Sequence, residues 1–442
     1  MHVQSLPNDD VIILVADFDG PDGQNNRVTE TILRQLRDAT DDYDDVEVIA
    51  LGQAVTEQAG SNQARRLAEK KKADIMIWGW YGQTSDTVPI SANFELLEEN
   101  EYIPDDLGDS ASGAIQTFDI AELNSFSLQT RLSNEMSFLT LFTLGMADYA
   151  NDNWADAIAL FEDALRQTEE ASERLELSII HFYRGESYAS NERPNDAIQA
   201  YNQALNIKPN DYITLNNKGN VLTNLGLLDD AIKNYDLALQ IKHDYHVTLY
   251  NKGNALFELG LLDNAIKNYD LALQIKHDYS DALSNKGAAL AQLGEFDNAI
   301  TAFEQALKIQ PDNYILLYNK GLALARLGEA RAAVKAYNKA LNIKPDDHAA
   351  LNNKGLVLAR LGDFDNAIAA FNQALRIKPY EHSPLYNKAC VYGLRNKPYK
   401  AITWLEKAII LNEDYREIAK IEPAFDSIRQ NPDFQALIIT TP

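Results

Sequence analysis

The sequence is poor in cysteine, in positive charge and in long apolar runs, and each shortage excludes a class of protein. A single cysteine, Cys390, allows neither an intramolecular disulfide nor a thiolate metal cage. The 442 residues carry 40 Lys and Arg against 65 Asp and Glu, a formal net charge of −25, so nucleic acid is not an expected partner. No apolar window reaches the length of a membrane span, and the polar start lacks the pattern of a secretion signal. We therefore expect a cytoplasmic protein with no membrane partner.

The dominant feature that is present is a repeat of 34 residues. The stretch GLLDDAIKNYDLALQIKHDY, which begins at Gly226, returns at Gly260 with one change, Asn264 in place of Asp230. A small residue, two alanines and a large ring or aliphatic side chain recur at fixed offsets in eight repeats. The small residues are Gly145, Gly185, Gly219, Gly253, Gly287, Gly321, Gly355 and Ala389, and the large residues are Phe161, Tyr201, Tyr235, Tyr269, Phe303, Tyr337, Phe371 and Leu405.

Each repeat is predicted to form two antiparallel helices. In LYNKGNALFELG, the residues Leu249, Gly253 and Leu256 share one helical face. Gly260 is expected to end this helix in the left-handed conformation, and a second helix follows within a few residues. We expect the small residue to face the first alanine of the second helix, with the large residue filling the space toward the next repeat.

This pattern resembles the tetratricopeptide repeat, from about Ser133 to Asn412. Two positions depart from the family: Leu, as at Leu215 and Leu249, replaces the usual aromatic residue early in the first helix, and Lys precedes the glycine where an apolar residue is common. The resemblance implies an α-helical solenoid, a right-handed superhelix whose concave groove holds an extended peptide or a partner helix. A protein or peptide partner is therefore expected.

In the family, one stripe of the first helices lines this groove, and in this sequence the stripe varies from repeat to repeat. A solenoid needs its constant positions in order to stack, so variable positions are the candidates for recognition. Amide and phenol groups suit a peptide backbone, and Arg326 and Arg360 suit carboxylates. The candidate partner-binding residues are Asn216, Asn220, Tyr250, Asn254, Phe257, Gln292, Tyr318, Arg326, Asn352, Arg360 and Tyr386. For each of them, solvated helix surface is the alternative.

A constant asparagine stands two residues before the small residue in six repeats. Its constancy indicates a role in the frame of the solenoid rather than in recognition. The asparagines of the candidate stripe lack the neighbouring cations with which some family members clamp the carboxylate of chaperone tails, so a chaperone-tail receptor is disfavoured. The constant asparagines are Asn217, Asn251, Asn285, Asn319, Asn353 and Asn387.

Residues 1–124 follow a different pattern, with 25 acidic against 8 basic side chains. Strands are predicted at 11–18, 46–51, 73–82 and 88–97, helices at 27–39 and 62–71, and an edge strand near 114–120. This alternation predicts a small α/β domain. Its order, with a hairpin whose first strand ends in a tryptophan-glycine turn, resembles the N-terminal domain of TolB. Without a secretion signal or a β-propeller, no periplasmic role is implied. We expect Trp78 and Trp80 to face opposite sides of their strand.

No motif in the sequence predicts catalysis. The turn DFDGPDG lacks the glycine and lysine spacing of a phosphate loop, and its carboxylates repel phosphate. As a calcium loop it fails at Pro21 and at Val28, where ligands are required. Cys390 is expected to be a small buried thiol rather than a nucleophile. We predict no enzyme, no cofactor and no metal site.

The predicted organisation has three parts: an α/β domain at 1–124, eight repeats at 125–412 and a helical cap at 413–442. It indicates a non-enzymatic scaffold or adaptor for protein–protein interaction. The alternative is a regulatory or sensor component of a larger bacterial signalling or defence assembly, in which the α/β domain senses a ligand near Trp78 and Trp80. Homo-oligomer formation through the nearly identical third and fourth repeats is left open.

Overall fold

The computed structural model describes residues 11–19, 25–40, 46–56, 60–81, 89–96, 125–131, 136–167 and 177–439. They belong to two compact units, an N-terminal unit that ends at Leu259 and a C-terminal unit whose helices begin after Gly260. Within these ranges, no helix combines the length and the apolar character needed to cross a membrane.

A five-stranded sheet forms the start of the N-terminal unit, in the order β2-β1-β3-β4-β5. The central strand β1 pairs in parallel with β2 and β3, whereas β4 is antiparallel to both β3 and β5. The predicted small α/β domain is confirmed; the edge strand predicted near 114–120 lies outside the described residues. The elements are β1 (Val11–Asp17), α1 (Asn25–Thr40), β2 (Val46–Ala54), α2 (Gly60–Lys71), β3 (Ile75–Tyr81), β4 (Pro89–Leu96) and β5 (Ser125–Arg131).

Both faces of this sheet are covered. Successive residues of a strand point to opposite faces, so Ile13 and Val15 of β1 join the core formed with α1, while Leu14 and Ala16 join the core formed with α2. A strand buried on both faces reads as a continuous apolar run, which explains the sequence VIILVA.

The two tryptophans of β3 lie on the same face of the sheet, so the expectation that they face opposite sides is wrong. They stand two residues apart, and this spacing returns a strand to the same face. Trp78 is buried in the core with α2, and Trp80 packs against that core with its ring centroid 6.2 Å from that of Trp78. The pair therefore supports the core between β3 and α2.

Sixteen consecutive helices form the eight predicted repeats. In the N-terminal unit these are α3 (Met136–Ala150), α4 (Trp154–Gln167), α5 (Leu177–Ser190), α6 (Pro194–Ile207), α7 (Tyr212–Asn224), α8 (Leu228–Ile241) and α9 (His246–Glu258). In the C-terminal unit they are α10 (Leu262–Ile275), α11 (Ser280–Gln292), α12 (Phe296–Ile309), α13 (Tyr314–Leu327), α14 (Ala330–Ile343), α15 (His348–Arg360), α16 (Phe364–Ile377), α17 (His382–Leu394) and α18 (Pro398–Leu411). The predicted α-helical solenoid fold is confirmed.

The glycine of the first helix admits the aromatic ring of its own repeat. A Cβ atom built on Gly321 would lie 2.8 Å from Cε1 of Tyr337, and one on Gly219 would lie 2.5 Å from Cε1 of Tyr235. The ring also shares a core with the next repeat, as expected, since Tyr337 clusters with Ala350 and Val357. At the helix end, Gly260 has φ of 73°, in the predicted left-handed conformation.

The sheet and the first repeats share one hydrophobic core within the N-terminal unit. Phe142 of α3 is fully buried, with its ring 5.6 Å from Phe94 of β4 and 5.7 Å from Phe161 of α4. A terminal repeat has no neighbour on its outer side, so its apolar surface needs a cover. The sheet provides that cover for the first repeat.

The segment after α18 covers the last repeat. It consists of α19 (Asp414–Ile421), a 3-10 helix (Pro423–Ile428) and α20 (Pro432–Ile439). Phe425 and Phe434 are fully buried in a core shared with Leu385 and Leu405. These contacts suit the predicted capping role of the C-terminal segment.

Candidate partner-binding surface

The constant asparagines link the first helices of successive repeats. Nδ2 of Asn353 donates a hydrogen bond to the Tyr318 hydroxyl at 3.0 Å, and Nδ2 of Asn387 donates to Oδ1 of Asn352 at 2.9 Å. The same spacing of 35 residues joins Asn251 to Asn216 at 3.2 Å in the N-terminal unit. These bonds agree with a role of the asparagines in the frame, and they also engage three of the candidate residues.

The candidate residues divide into three groups by exposure. Gln292, Arg326 and Arg360 are exposed, whereas Phe257, Tyr318 and Asn352 are partly buried. Asn216, Asn220, Tyr250, Asn254 and Tyr386 are buried.

The cap accounts for the burial of Tyr386. Its ring stacks on Tyr415 of α19 with 4.2 Å between the centroids, and it meets the edge of Phe425. This end of the candidate stripe is therefore covered by the chain itself.

In the third repeat, the hydroxyl of the second-helix tyrosine forms hydrogen bonds with polar side chains of the first helix. The Tyr235 hydroxyl donates to Oδ1 of Asn220 at 2.8 Å and lies 3.2 Å from Oγ1 of Thr223. Burial raises the pKa of Tyr235, so the phenol stays protonated and acts as a donor. Asn220 stands one residue after Gly219 and Thr223 stands four after it. Both are thus placed to meet the ring that covers the glycine.

In the sixth repeat, the ring of Tyr337 covers Gly321 as the ring of Tyr235 covers Gly219, but its hydroxyl lacks a comparable polar partner. Its side chain is fully buried, yet its hydroxyl has no hydrogen-bond partner among the described residues. The positions equivalent to Asn220 and Thr223 are Leu322 and Ala325, whose side chains have no polar atoms. The sixth repeat therefore keeps a buried phenol without its acceptor, which costs free energy.

Two arginines act on this phenol. Burial raises the pKa of Tyr337 and nearby Tyr318 raises it further, whereas the charges of Arg326 and Arg360 act in the opposite direction. Arg326 belongs to the same repeat as Tyr337, and Arg360 stands at the equivalent position of the next repeat.

Neither arginine has an ion pair or a hydrogen bond within the parts of the chain that the structure describes. Both side chains are exposed. Elsewhere in the C-terminal unit the excess of carboxylates does provide partners, as for Arg395, whose Nη1 lies 2.5 Å from Oδ1 of Asp365. In a chain with a net charge of −25, Arg326 and Arg360 are two exposed cations that stand one repeat apart.

An apolar pocket of about 470 Å³ lies beside Arg326, between α11, α12 and α13. Its volume falls in the range of binding pockets for small molecules and side chains. On α11 it is lined by Ala288 and Ala291, which stand at the positions where α7 carries Asn220 and Thr223. The residues that line it are Ala288, Ala291, Gln292, Phe296, Phe303, Asn319, Leu322, Ala323 and Arg326.

In several repeats, a lysine of the first helix bonds to a residue on the second helix of the preceding repeat. Lys286 pairs with Asp270 at 2.5 Å, and Lys320 pairs with Glu304 at 2.7 Å. The equivalent partner of Lys388 is an amide, Oδ1 of Asn372, at 2.5 Å. Without a carboxylate partner, burial lowers the pKa of Lys388 to about 8, with a further contribution from the nearby charges of Lys407 and Lys400.

The chemistry of the described residues gives no sign of a catalytic centre. These ranges contain no group of three His, Cys, Asp or Glu side chains that could hold a metal ion. Burial raises the pKa of Cys390 to about 12, so its thiol is protonated near neutral pH.

Two family models, both described as tetratricopeptide repeat, match the chain. One matches residues 185–246, 284–348 and 318–382, and the other matches 137–210 and 244–312, so together they cover 137–382, more than half of the chain. The chain therefore belongs to the tetratricopeptide repeat family, whose members are generally non-catalytic and bind proteins or peptides. Neither model extends into the N-terminal sheet, and the resemblance to TolB stays a prediction.

Several solved structures are similar to parts of the chain. YrrB, described as a TPR protein with an unusual peptide-binding site, is 24% identical over 42% of this chain and 98% of its own, with a TM-score of 0.38. A MamA protein is 28% identical over 38% of this chain and 92% of its own, with a TM-score of 0.36. The C-terminal part of a TPR protein from Cytophaga hutchinsonii is 18% identical over 56% of this chain and 98% of its own, with a TM-score of 0.47. No curated protein matches the chain.

Proposed function

We propose that this protein is a non-catalytic adaptor that binds an extended peptide of a partner protein along the first helices of its repeats. The observation that carries this proposal is an apolar pocket whose lining includes the exposed Arg326, with the exposed Arg360 at the equivalent position of the next repeat. Apolar pockets with a few convergent polar groups are the usual form of binding sites. Main-chain groups of an extended segment would meet Gln292 nearby, and side chains would enter the pocket.

The proposed binding surface is limited to first helices of the C-terminal unit. Buried candidates such as Asn220 and Tyr250 contribute to the fold, and removing them would disturb packing. Gln292, Arg326 and Arg360 are exposed, so substitutions there change the surface without removing core contacts. A test of binding should therefore use these exposed positions.

The test is affinity capture from a cell lysate with the full chain as bait, followed by mass spectrometry. The blocked bait carries Ala291→Phe, Arg326→Ala and Arg360→Ala; phenylalanine already stands at the equivalent position of the fourth repeat, so it suits the helix. The control bait carries Arg331→Ala and Lys339→Ala, which remove two exposed cations from α14.

We expect a partner that the wild-type and control baits retain and the folded blocked bait loses. Capture of an unchanged set by all three baits would show that these first helices are not the binding surface, and the adaptor proposal would fail at this site.

A further inference from the structure

We propose that the protein forms a two-fold symmetric homodimer in which helix α8 packs antiparallel on α8 of a second copy, through the exposed leucines Leu227 and Leu237. This contact uses the second helix of the third repeat, so it goes beyond the proposed function, which uses first helices.

Exposed leucines distinguish the third and fourth repeats from the other six. Leu227 and Leu237 are 49% and 47% exposed in the third repeat, and Leu261 and Leu271 are 47% and 46% exposed in the fourth. The other repeats have a polar or charged residue at both positions. At the first position these residues are Asn153, Arg193, Glu295, Glu329, Asp363 and Lys397, and at the second they are Asp163, Gln203, Gln305, Lys339, Gln373 and Lys407. Since six repeats stack without leucine at these positions, stacking does not account for the four leucines.

In the third repeat, an ion pair stands between the two leucines on the same face of the helix. Nζ of Lys233 lies 2.7 Å from Oδ1 of Asp230, and both side chains are exposed, as are the leucines. At 3.6 residues per turn, these four residues fall within an arc of about 120°. A leucine, a carboxylate, an ammonium group and a second leucine thus follow one another along α8.

This order is complementary to itself when two copies of α8 run antiparallel. Leu227 and Leu237 are centred on residue 232, and Asp230 and Lys233 are centred between residues 231 and 232. The two centres differ by half a residue, which is less than about 1 Å along a helix. One two-fold axis at this level therefore places each leucine opposite the other leucine of the second copy, and each charge opposite its counterion. A two-fold contact requires this kind of self-complementary surface.

The charges favour α8 over the equivalent helix of the fourth repeat. In α10 the two leucines and Lys267 stand at the same positions, but Asn264 replaces the aspartate. Two copies of α10 would place Lys267 opposite a neutral amide, so the leucines would match and the charges would not. Charge complementarity sets register and partner choice, and α8 has it toward a second copy of itself.

The contact is small, which sets the expected affinity. Helix α8 has 14 residues, so it is about 21 Å long. One helix from each chain buries less surface than a standard protein–protein interface. We therefore expect a monomer–dimer equilibrium with a Kd of the order of micromolar.

Sedimentation equilibrium of the full chain at about 1–100 μM measures this Kd. Physiological ionic strength limits the repulsion between two acidic chains to about 8 Å. The apolar variant carries Leu227→Glu and Leu237→Gln. The fifth repeat has glutamate and glutamine at these positions, so the changes suit the fold. The matched comparison carries Leu261→Glu and Leu271→Gln in α10. Circular dichroism checks that each variant is folded.

We expect the wild-type chain to dimerise and the apolar variant to weaken dimerisation at least about tenfold, because it removes both leucines from each side of the contact. The α10 variant should weaken it less. This comparison separates the proposed contact from a general effect of exposed leucines.

Charge reversal tests the register. Asp230→Lys gives each α8 two positive charges and Lys233→Asp gives each two negative charges, so neither variant should dimerise alone. A one-to-one mixture restores opposite charges across the contact and should form a heterodimer. Each variant carries like charges within its own chain, so loss of the intrachain ion pair cannot produce this rescue.

Four results would overturn the inference. A wild-type chain that stays monomeric up to about 100 μM would exclude the dimer. A dimer that the apolar variant leaves intact would have its contact elsewhere. A loss in the α10 variant as large as that in the apolar variant would refute the assignment to α8. Absence of a heterodimer in the mixture would refute the antiparallel register. None of these results bears on the peptide-binding function, which the capture experiment tests separately.

Discussion

Replacement of Tyr235 and of Tyr337 by phenylalanine should have opposite effects on stability, although both rings cover a glycine in the same way. Phenylalanine occupies this position in the first, fifth and seventh repeats, so the ring packing tolerates the change. Tyr235→Phe removes a hydrogen bond of 2.8 Å to Asn220 and a contact of 3.2 Å with Thr223. Loss of such a buried bond costs about 1–2 kcal/mol.

Tyr337→Phe removes a hydroxyl that has no partner in the described structure. The folded state then no longer buries an unsatisfied donor, so we expect stability to stay the same or to rise by up to about 1 kcal/mol. The effects of the two substitutions should therefore differ by about 1–3 kcal/mol, although they are chemically identical.

Hydrogen exchange followed by mass spectrometry is the appropriate assay, because repeats open locally and a single unfolding midpoint would average over them. Tyr235→Phe should speed exchange in α7 and α8 by roughly 5–30-fold, the factor that corresponds to one or two kcal/mol. Tyr337→Phe should leave exchange in α13 and α14 unchanged or slower. Equally fast exchange around both sites would show that Tyr337 has an acceptor in solution, and it would refute this reasoning.

Two further predictions concern the frame. Gly355→Ala should destabilise its repeat by about 1–3 kcal/mol, because the new Cβ would lie 2.6 Å from Cε1 of Phe371. Adding Phe371→Leu should restore most of the stability, since the last repeat pairs alanine with leucine at these two positions. Urea unfolding of both variants checks this. Between pH 8 and 10.5 the unfolded chain holds the Lys388 proton more tightly than the folded one, so this residue makes stability rise with pH. Asn372→Asp should raise the pKa of Lys388, flatten that rise and stabilise the fold at pH 7, as urea midpoints across this range would reveal; an unaltered slope would contradict this origin.

The frame of the solenoid was predictable because it is repeated. Eight copies of one pattern define the offset of Gly321 from Tyr337 and the helix end at Gly260. The structure confirms the helices that this pattern predicts. The contact of the ring with its own glycine was not predictable from spacing alone. Tyr337 reaches the core shared with the next repeat, as expected, and it also covers its own glycine, which depends on how closely the two helices approach.

The sequence predicts which positions of the first helices form the candidate stripe. It does not predict which of their side chains are exposed. Asn216, Tyr318 and Asn352 stand at variable positions, yet each accepts a hydrogen bond from the constant asparagine 35 residues later. Tyr386 stands in the same column and is covered by the cap. A variable residue can thus be part of the frame when a neighbour of constant identity adapts to it.

The sequence does distinguish the sixth repeat from the others, in the comparison of two columns. Wherever the second helix of a repeat has tyrosine, the residue after the glycine of the first helix is expected to be polar, as Glu186 and Asn220 are. The sixth repeat combines Tyr337 with Leu322 and so breaks this correspondence. A buried phenol retained without its acceptor is a cost to stability, and proteins keep such costs mainly where a ligand relieves them. The break in the correlation, rather than variability in any one column, distinguishes the sixth repeat from the other repeats that carry tyrosine.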